Sequence, residues 1–402
     1  KKEILIRRIK QMSSFISKLD LAVRYHESIG EQHMANYLRN QLDVLRNITE
    51  HKKDYLVTSY YVPGELLELL DVEVVYMERL AGLAAAWRIF DKPVFRATTK
   101  GFSACSCSYQ AIFDLLIEDE VIPKPVGFVA LSYTCNDAWM YCKTAAEKHS
   151  VPFYFINVPK TSDNDHQKHF AKQLEELNHQ LKISFPAKTS MEDVVTASNE
   201  AQEIKSQIDT VRLKTPGNII DFFKLFPLYN DLGKKSTVEI LKHFKSKLES
   251  NASKSSEDIT GILWLGVLPL YRNSIILDIE KKLGCKIVCE EMFDFGNIKL
   301  TRNIFFENLA QRIMCSRFFS FENRIEAMFK SIRDFGVKGI IHFSQRNCMF
   351  LPPMVPLIRK KAEEEKIPFV EINGDVVDPD YFDEERAWNQ LEFFYEHIHW
   401  RP

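Results

Sequence analysis

Three short stretches of this chain carry cysteines where a strand or loop gives way to a helical pattern. They are Gly101-Phe-Ser-Ala-Cys105-Ser-Cys107-Ser-Tyr109, Phe128-Val-Ala-Leu-Ser-Tyr-Thr-Cys135-Asn-Asp137 and Gly339-Ile-Ile-His-Phe-Ser-Gln-Arg-Asn-Cys348. The second and third are apolar β-type runs that end in a polar loop, and helical patterns follow at 138–149 and 351–366. In an open parallel sheet the crevice beyond the carboxyl ends of the strands is where ligands sit. Cysteines delivered there by separate strand–loop–helix units read as ligands. Thiolates are the usual ligands of iron–sulfur clusters. Three of them, between two α/β domains, would leave one iron open, as the open position does at catalytic zinc. The spacing is much wider than the compact ferredoxin run. From the residues alone, free cysteines packed at strand ends remain the alternative.

The elements that must position these cysteines follow from hydrophobic periodicity. Residues 1–54 read as a helical arm, with Leu19, Leu21, Val23, Met34, Leu38, Leu42 and Leu45 recurring among charges. A strand–helix alternation then predicts a first α/β domain over 55–185, with strands at 55–62, 72–76, 126–131 and 153–157. Polar amphipathic helices fill a connector over 186–257, which ends in the Ser/Lys-rich stretch 250–258, a plausible linker composition. A second α/β domain over 258–402 has strands at 259–266, 285–290, 337–343 and 368–372. The fold class expected is therefore α/β, with two Rossmann- or flavodoxin-like parallel-sheet domains, an N-terminal helical arm and a helical middle section.

Composition narrows the setting. The chain has 402 residues, 45% of them hydrophobic and 27% charged, which suits two globular cores. A net charge of −2 gives no electrostatic case for nucleic acid or an anionic membrane. No apolar run reaches the length of a bilayer span, and the stretch 1–8 lacks the apolar core of a signal peptide. A cytoplasmic location is the expectation, with the eight cysteines reduced, buried or metal-bound rather than paired. Cys142, Cys285 and Cys289 read as core residues, as do His342 and Trp264, while Cys315 at a helix end is left open. No Gly-x-Gly-x-x-Gly follows a strand and no Gly-x-x-x-x-Gly-Lys-Ser/Thr occurs, so neither a dinucleotide fingerprint nor a P-loop is present.

From about residue 55 onward the chain resembles the 2-hydroxyacyl-CoA dehydratase family, which also contains the cluster-bearing subunits of ATP-dependent benzoyl-CoA reductase. The resemblance rests on Thr58-Ser-Tyr-Tyr-Val-Pro63-Gly-Glu, the stretch around Cys107, Thr134-Cys135-Asn-Asp137, Gln345-Arg-Asn-Cys348, Ile367-Pro-Phe-Val-Glu-Ile-Asn-Gly-Asp375 and Asp378-Pro379. It implies a [4Fe–4S] cluster held by Cys107, Cys135 and Cys348, with one position not taken by cysteine. Cys105 is the alternative first ligand. A double cubane would need twice the thiolates, and Cys142, Cys285, Cys289 and Cys315 fall in no matching motif.

The activity this implies is removal of water from a 2-hydroxyacyl-CoA through a ketyl radical, in an anaerobic enzyme. The β-hydrogen is not acidic until an electron has been added to the thioester and the α-hydroxyl expelled. The implied partners are an acyl-CoA substrate, a homologous second subunit (a heterodimer, with a homodimer as the alternative) and an ATP-hydrolysing iron–sulfur activator. Ser59 and Tyr60 stand where the resemblance places a group near the open iron, and Arg346 and Gln345 adjoin Cys348. Ser59, Tyr60 and Arg346 are the catalytic candidates, against a turn before Pro63 and a solvated loop. Asp375 reads as either an orienting group or a cap. Alternatives to the dehydratase are the reductase subunit, which would consume its electrons, and a non-catalytic subunit that keeps the fold.

Overall fold

The computed structural model describes residues 2–215, 217–251, 260–272 and 274–399, with the side chains of residues 2–14 and 399 left out. The arm is a helical hairpin, α1 (Lys2–Ser28) and α2 (Gln32–Thr49), which turns at Gly30, whose φ of 74° favours glycine. The first α/β unit runs β1 (Tyr55–Thr58), α3 (Gly64–Glu68), β2 (Glu73–Tyr76), α4 (Met77–Ala86), α5 (Pro93–Thr99), α6 (Ser108–Glu118), β3 (Gly127–Leu131), α7 (Asn136–His149) and β4 (Phe153–Ile156). The middle section holds α8 (Asn164–Ser184), α9 (Met191–Lys214), α10 (Ile219–Leu225) and α11 (Lys235–Asn251). The second unit runs β5 (Thr260–Leu265), α12 (Ile275–Leu283), β6 (Cys285–Glu290), α13 (Phe305–Met314), α14 (Phe321–Phe335), β7 (Gly339–Gln345), α15 (Val355–Glu364), β8 (Phe369–Gly374) and α16 (Glu384–His399).

Both sheets are parallel throughout, in the orders β2-β1-β3-β4 and β6-β5-β7-β8. In each, chain order reverses between the two central strands. The switch points therefore lie between β1 and β3 and between β5 and β7, with the ligand crevice at their carboxyl ends. β1, β3 and β7 are buried along their whole length, which explains their unbroken apolar sequence.

The elements depart from the sequence reading in detail. The small-residue helix expected over 81–87 begins four residues earlier, at Met77, directly after β2. The helix α5, with Pro93 at its start, was not anticipated. Leu351-Pro-Pro forms a tight turn that delays α15 to Val355, because the helix interior rejects proline but its first turn accepts it. α11 absorbs Ser250 and Asn251 of the expected linker; 252–258 lies outside the described residues, as does Pro216.

One apolar cluster joins the helical hairpin, both sheets and α16, from Phe15 to Phe394. Cys142, Cys285 and Cys289 are buried in the cores, and Trp264 stacks on Phe343. α9 acts as a strut between the units. Its Arg212 pairs with Glu290 at 3.0 Å, and its Ser198 joins the buried Glu65–Arg312 pair that links α3 to α13.

Behind β5 and β7, Arg324 makes a buried two-pronged bond to Glu291 at 2.7 and 2.8 Å, and Glu291 also accepts the Gly266 N–H at 2.7 Å. His342, inside β7, lies between Arg324 and Ser344, and burial pushes it down to about 3, so the ring is neutral. Removing one partner of a buried pair strands the other charge. Arg324→Ala is expected to cost about 3–5 kcal/mol, read as a lower denaturation midpoint. A change within about 0.5 kcal/mol, the surface-substitution range, would contradict the pairing.

Candidate functional site

The loops that leave the carboxyl ends of β1, β3 and β7 each contain a non-glycine residue in the left-handed region: Tyr61 (φ 73°), Thr134 (φ 64°) and Asn347 (φ 57°). Asparagine tolerates this conformation, whereas tyrosine and β-branched threonine are strained in it. Such strain concentrates at functional sites. Two of the three residues immediately precede a candidate cysteine, Thr134 before Cys135 and Asn347 before Cys348.

Hydrogen bonds tie the cysteine loops together. The Asn347 side chain donates to the carbonyls of Ala104 at 2.7 Å and Ser106 at 3.3 Å, and Arg346 donates to Ala104 at 3.2 Å. The Cys107 N–H donates to Asp137 at 2.7 Å. Beneath them Asp375 accepts from Ser108 at 2.8 Å, from Gln345 at 3.2 Å and from the Val377 and Asp378 N–H groups. Asp375 is therefore both a cap for its own turn and the bond that fixes α6 to the end of β7.

Cys107 and Cys135 occupy the N-cap positions of α6 and α7, and Cys348 accepts the Leu351 N–H at 3.5 Å. Burial pushes all three thiols up, Cys135 to about 12 and Cys107 well above the ordinary range. After burial, the nearness of Cys135 and Cys348 raises Cys107 further, and the nearness of Cys348 raises Cys135. Nearby N–H groups of Tyr109, Ala138 and Leu351 act in the opposite direction. Neither N-cap cysteine closes a side-chain capping hydrogen bond. Cys105 is exposed, as is Cys315. Among the described residues no group of three or more His, Cys, Asp or Glu side chains is arranged to hold a metal ion.

A cavity of about 640 Å³ adjoins this place. Tyr60, Glu78, Arg79 and Tyr109 line it from the first unit, α1 and α2 form a wall, and Phe226 and Tyr271 contribute further rings. Tyr109 connects the two regions, since the strongest charges acting on its phenol are those of Cys107 and Glu78. Tyr60 contributes its ring, at 5.4 Å from Phe226, and its N–H, donated to Glu78 at 3.2 Å. Ser59 is buried at the end of β1 and its hydroxyl turns to the Tyr60 carbonyl. Arg346 is placed elsewhere: its guanidinium lies over the Tyr381 ring at 3.9 Å and holds the Ala104 loop, away from the cavity wall.

Glu78 is the functional candidate that sequence reasoning missed. Burial raises its carboxyl to about 7, against the pull of two backbone N–H groups, its own and that of Tyr60. A carboxylate poised near neutrality in a cavity has the character of a general base. The available signal was its position, an acid directly after the apolar run Val74-Val-Tyr-Met77 at a carboxyl strand end.

The sequence family described as 2-hydroxyglutaryl-CoA dehydratase, D-component, matches residues 59–398. The chain is similar to the (R)-phenyllactyl-CoA dehydratase alpha subunit of Clostridium sporogenes, with 23% identity over 80% of this chain and 84% of the relative. It is also similar to the (R)-2-hydroxyisocaproyl-CoA dehydratase alpha subunit of Clostridioides difficile, with 21% identity over 82% of this chain and 85% of the relative. Among the described residues no helix is long and apolar enough to cross a membrane.

Proposed function

The chain belongs to the 2-hydroxyacyl-CoA dehydratase family, and on that premise we propose that it is the iron–sulfur subunit of an enzyme that converts a 2-hydroxyacyl-CoA to the enoyl-CoA and water. What supports this reading is the hydrogen bonding that joins the loops carrying Cys107, Cys135 and Cys348, with the Glu78 cavity nearby.

The donor set suits an iron–sulfur cluster: three cysteine thiols stand on loops that hydrogen-bond to one another, and thiolates are the usual ligands of such clusters. Cys107, Cys135 and Cys348 would hold the [4Fe–4S] cluster, with one position free of cysteine. When bound, such a cluster supplies a Lewis-acidic iron and the transient electron that turns the thioester into a ketyl radical anion able to expel its α-hydroxyl.

The chain's own groups do the rest. Burial in low dielectric strengthens every charge in the site. The Tyr60 N–H holds Glu78 in place. Glu78 takes the β-proton once the α-hydroxyl has left, and that proton pairs with the departing hydroxide as water. The electron returns, so the reaction is redox-neutral.

The electron must come from outside this chain, which has no P-loop of its own. An ATP-hydrolysing activator supplies it, and a homologous second subunit completes the enzyme, in keeping with the alpha-subunit names of the relatives.

The test is anaerobic purification with the partner, iron and acid-labile sulfide analysis, then turnover of 2-hydroxyacyl-CoA thioesters with activator, ATP and a trace of reductant. Enoyl-CoA formed in large excess over reductant is the expected result. Reductant consumed mole for mole with an aromatic thioester would replace the reading by the reductase one. Less than one iron per chain would leave only a non-catalytic subunit.

A further inference from the structure

The α1–α2 hairpin precedes the segment that matches the family, residues 59–398, yet it builds one side of the cavity that holds Glu78. Leu21 and Tyr25 come from α1, and Met34, Tyr37 and Leu38 from α2. The hairpin is fastened to the body of the chain. Lys247 of α11 bonds both Glu31, at the start of α2, and Asp221 of α10, at 2.6 and 2.9 Å. His33 stacks on Phe244 at 5.4 Å, and Asn47 donates to Glu73 of β2 at 2.8 Å. A helix held near both ends can keep a side chain in register with a ligand, which a loose loop does less well.

Three polar groups of the hairpin line the cavity, and two are accounted for. His26 is bonded to Glu31 at 2.8 Å, and Tyr25 is exposed to solvent. Tyr37 is neither: it is only 4% exposed, and its hydroxyl has no hydrogen-bond partner among the described residues. Arg79 and Asp231 are the charges that act on it, but they are bonded to each other at 2.7 Å, and Arg79 also donates to the Pro227 carbonyl. The Tyr37 phenol is in turn the strongest titratable neighbour of the Tyr60 phenol, on which Glu78 also acts. Burial pushes the Tyr37 hydroxyl up to about 12, so it keeps its proton and is a donor. Buried polar groups are nearly always bonded, and one left without a partner costs about 1–3 kcal/mol. An unbonded hydroxyl that lines a cavity points to a polar atom of the molecule the cavity takes.

We propose that Tyr37 binds the substrate, its hydroxyl donating a hydrogen bond to the α-hydroxyl oxygen of the 2-hydroxyacyl thioester. This rests on the dehydratase reading. There Glu78 serves the β-carbon, and the α-hydroxyl is the group that leaves with negative charge, so it gains most from a fixed donor. The bond holds the acyl chain in register with the base. The phenol keeps its own proton, so the balance of the reaction is unchanged.

Binding can be read alone in the assembled enzyme purified anaerobically without activator. The probes are matched pairs of CoA thioesters, 2-hydroxybutanoyl against butanoyl and 2-hydroxy-3-phenylpropanoyl against 3-phenylpropanoyl, followed by calorimetry. The natural enzyme is expected to bind each hydroxylated member about five- to tenfold more tightly than its deoxy partner, the worth of one hydrogen bond. Tyr37→Phe is expected to reduce that preference to about twofold or less while leaving affinity for the deoxy thioesters unchanged. The variant should also melt no lower than the natural protein, since the hydroxyl it lacks is unbonded in the free chain.

A preference that survives in Tyr37→Phe would overturn the proposal, as would equal binding of each pair by the natural enzyme or an equal loss of affinity for both members. A lower melting point would show the hydroxyl bonded within the free chain and would also overturn it. If thioesters are dehydrated while Tyr37→Phe keeps the hydroxyl preference, the role of Tyr37 falls and the reaction stands. If the preference runs through Tyr37 but no thioester is dehydrated with activator and ATP, the binding role stands and the reaction falls.

Discussion

Cys135→Ala is expected to lose iron, sulfide and dehydration together, whereas Cys142→Ala keeps all three. The two cysteines belong to one stretch of chain, Cys135 capping α7 and Cys142 lying within it, so the contrast isolates placement from chemistry. Cys135 stands at the end of a loop held by the Cys107–Asp137 bond. Burial pushes its thiol up to about 12, and metal binding to it would release that proton. Cys142 is fully buried in the apolar cluster that packs α7 on β3. Its loss removes one buried sulfur, roughly the 0.8 kcal/mol of a buried methylene, and touches no cleft residue. Iron and acid-labile sulfide per chain, with the visible absorption of the cluster, measure the difference. Equal iron in the two variants would remove Cys135 from the ligand set. Exposed Cys105 should behave like Cys142 in this assay.

Glu78→Gln is expected to lower kcat by about 10²–10⁴-fold with iron content unchanged. The amide keeps the shape of the side chain and its acceptor for the Tyr60 N–H, but cannot take a proton. The pH dependence gives a second readout. Burial raises the carboxyl from 4.5 to about 7, so the base is present above that pH and lost below it. In the natural enzyme kcat should climb as pH rises through 7, and Glu78→Gln should flatten that limb.

Stability should respond in the opposite sense. Between pH 4.5 and 7 the unfolded chain has released this proton while the folded one retains it, so ionisation favours unfolding as pH rises. The penalty is absent below the unfolded value and complete above 7. Glu78→Gln should therefore melt higher than the natural protein at pH 8 and no differently at pH 4.5. A variant that keeps full activity and the same pH profile would exclude Glu78 as the base. If Glu78 is the base, the site keeps a destabilising acid where its chemistry uses one, a common trade of stability for activity.

Much of the architecture was legible in the residues because its signals are local. A strand buried on both faces must be apolar throughout, and Phe128–Leu131 and Gly339–Phe343 announce themselves that way. Cys107, Cys135 and Cys348 are singled out by the resemblance of their flanks to the family, with Cys105 as the alternative first ligand. α4 starts at Met77 rather than at the expected 81, and its Arg79 pairs with Asp231, a partner far along the chain.

The sequence by itself determined the two parallel-sheet units and which cysteines stand at the carboxyl ends of their strands, since periodicity and loop chemistry act over a few residues. Only the tertiary structure decided that Asn347 bonds to the Ala104 loop, that Arg346 turns away to Tyr381, and that the α1–α2 hairpin walls a cavity ending at Glu78. The raised carboxyl of Glu78 and the joining of the three cysteine loops come from burial and from neighbours distant along the chain, and both arise only when the chain has closed on itself.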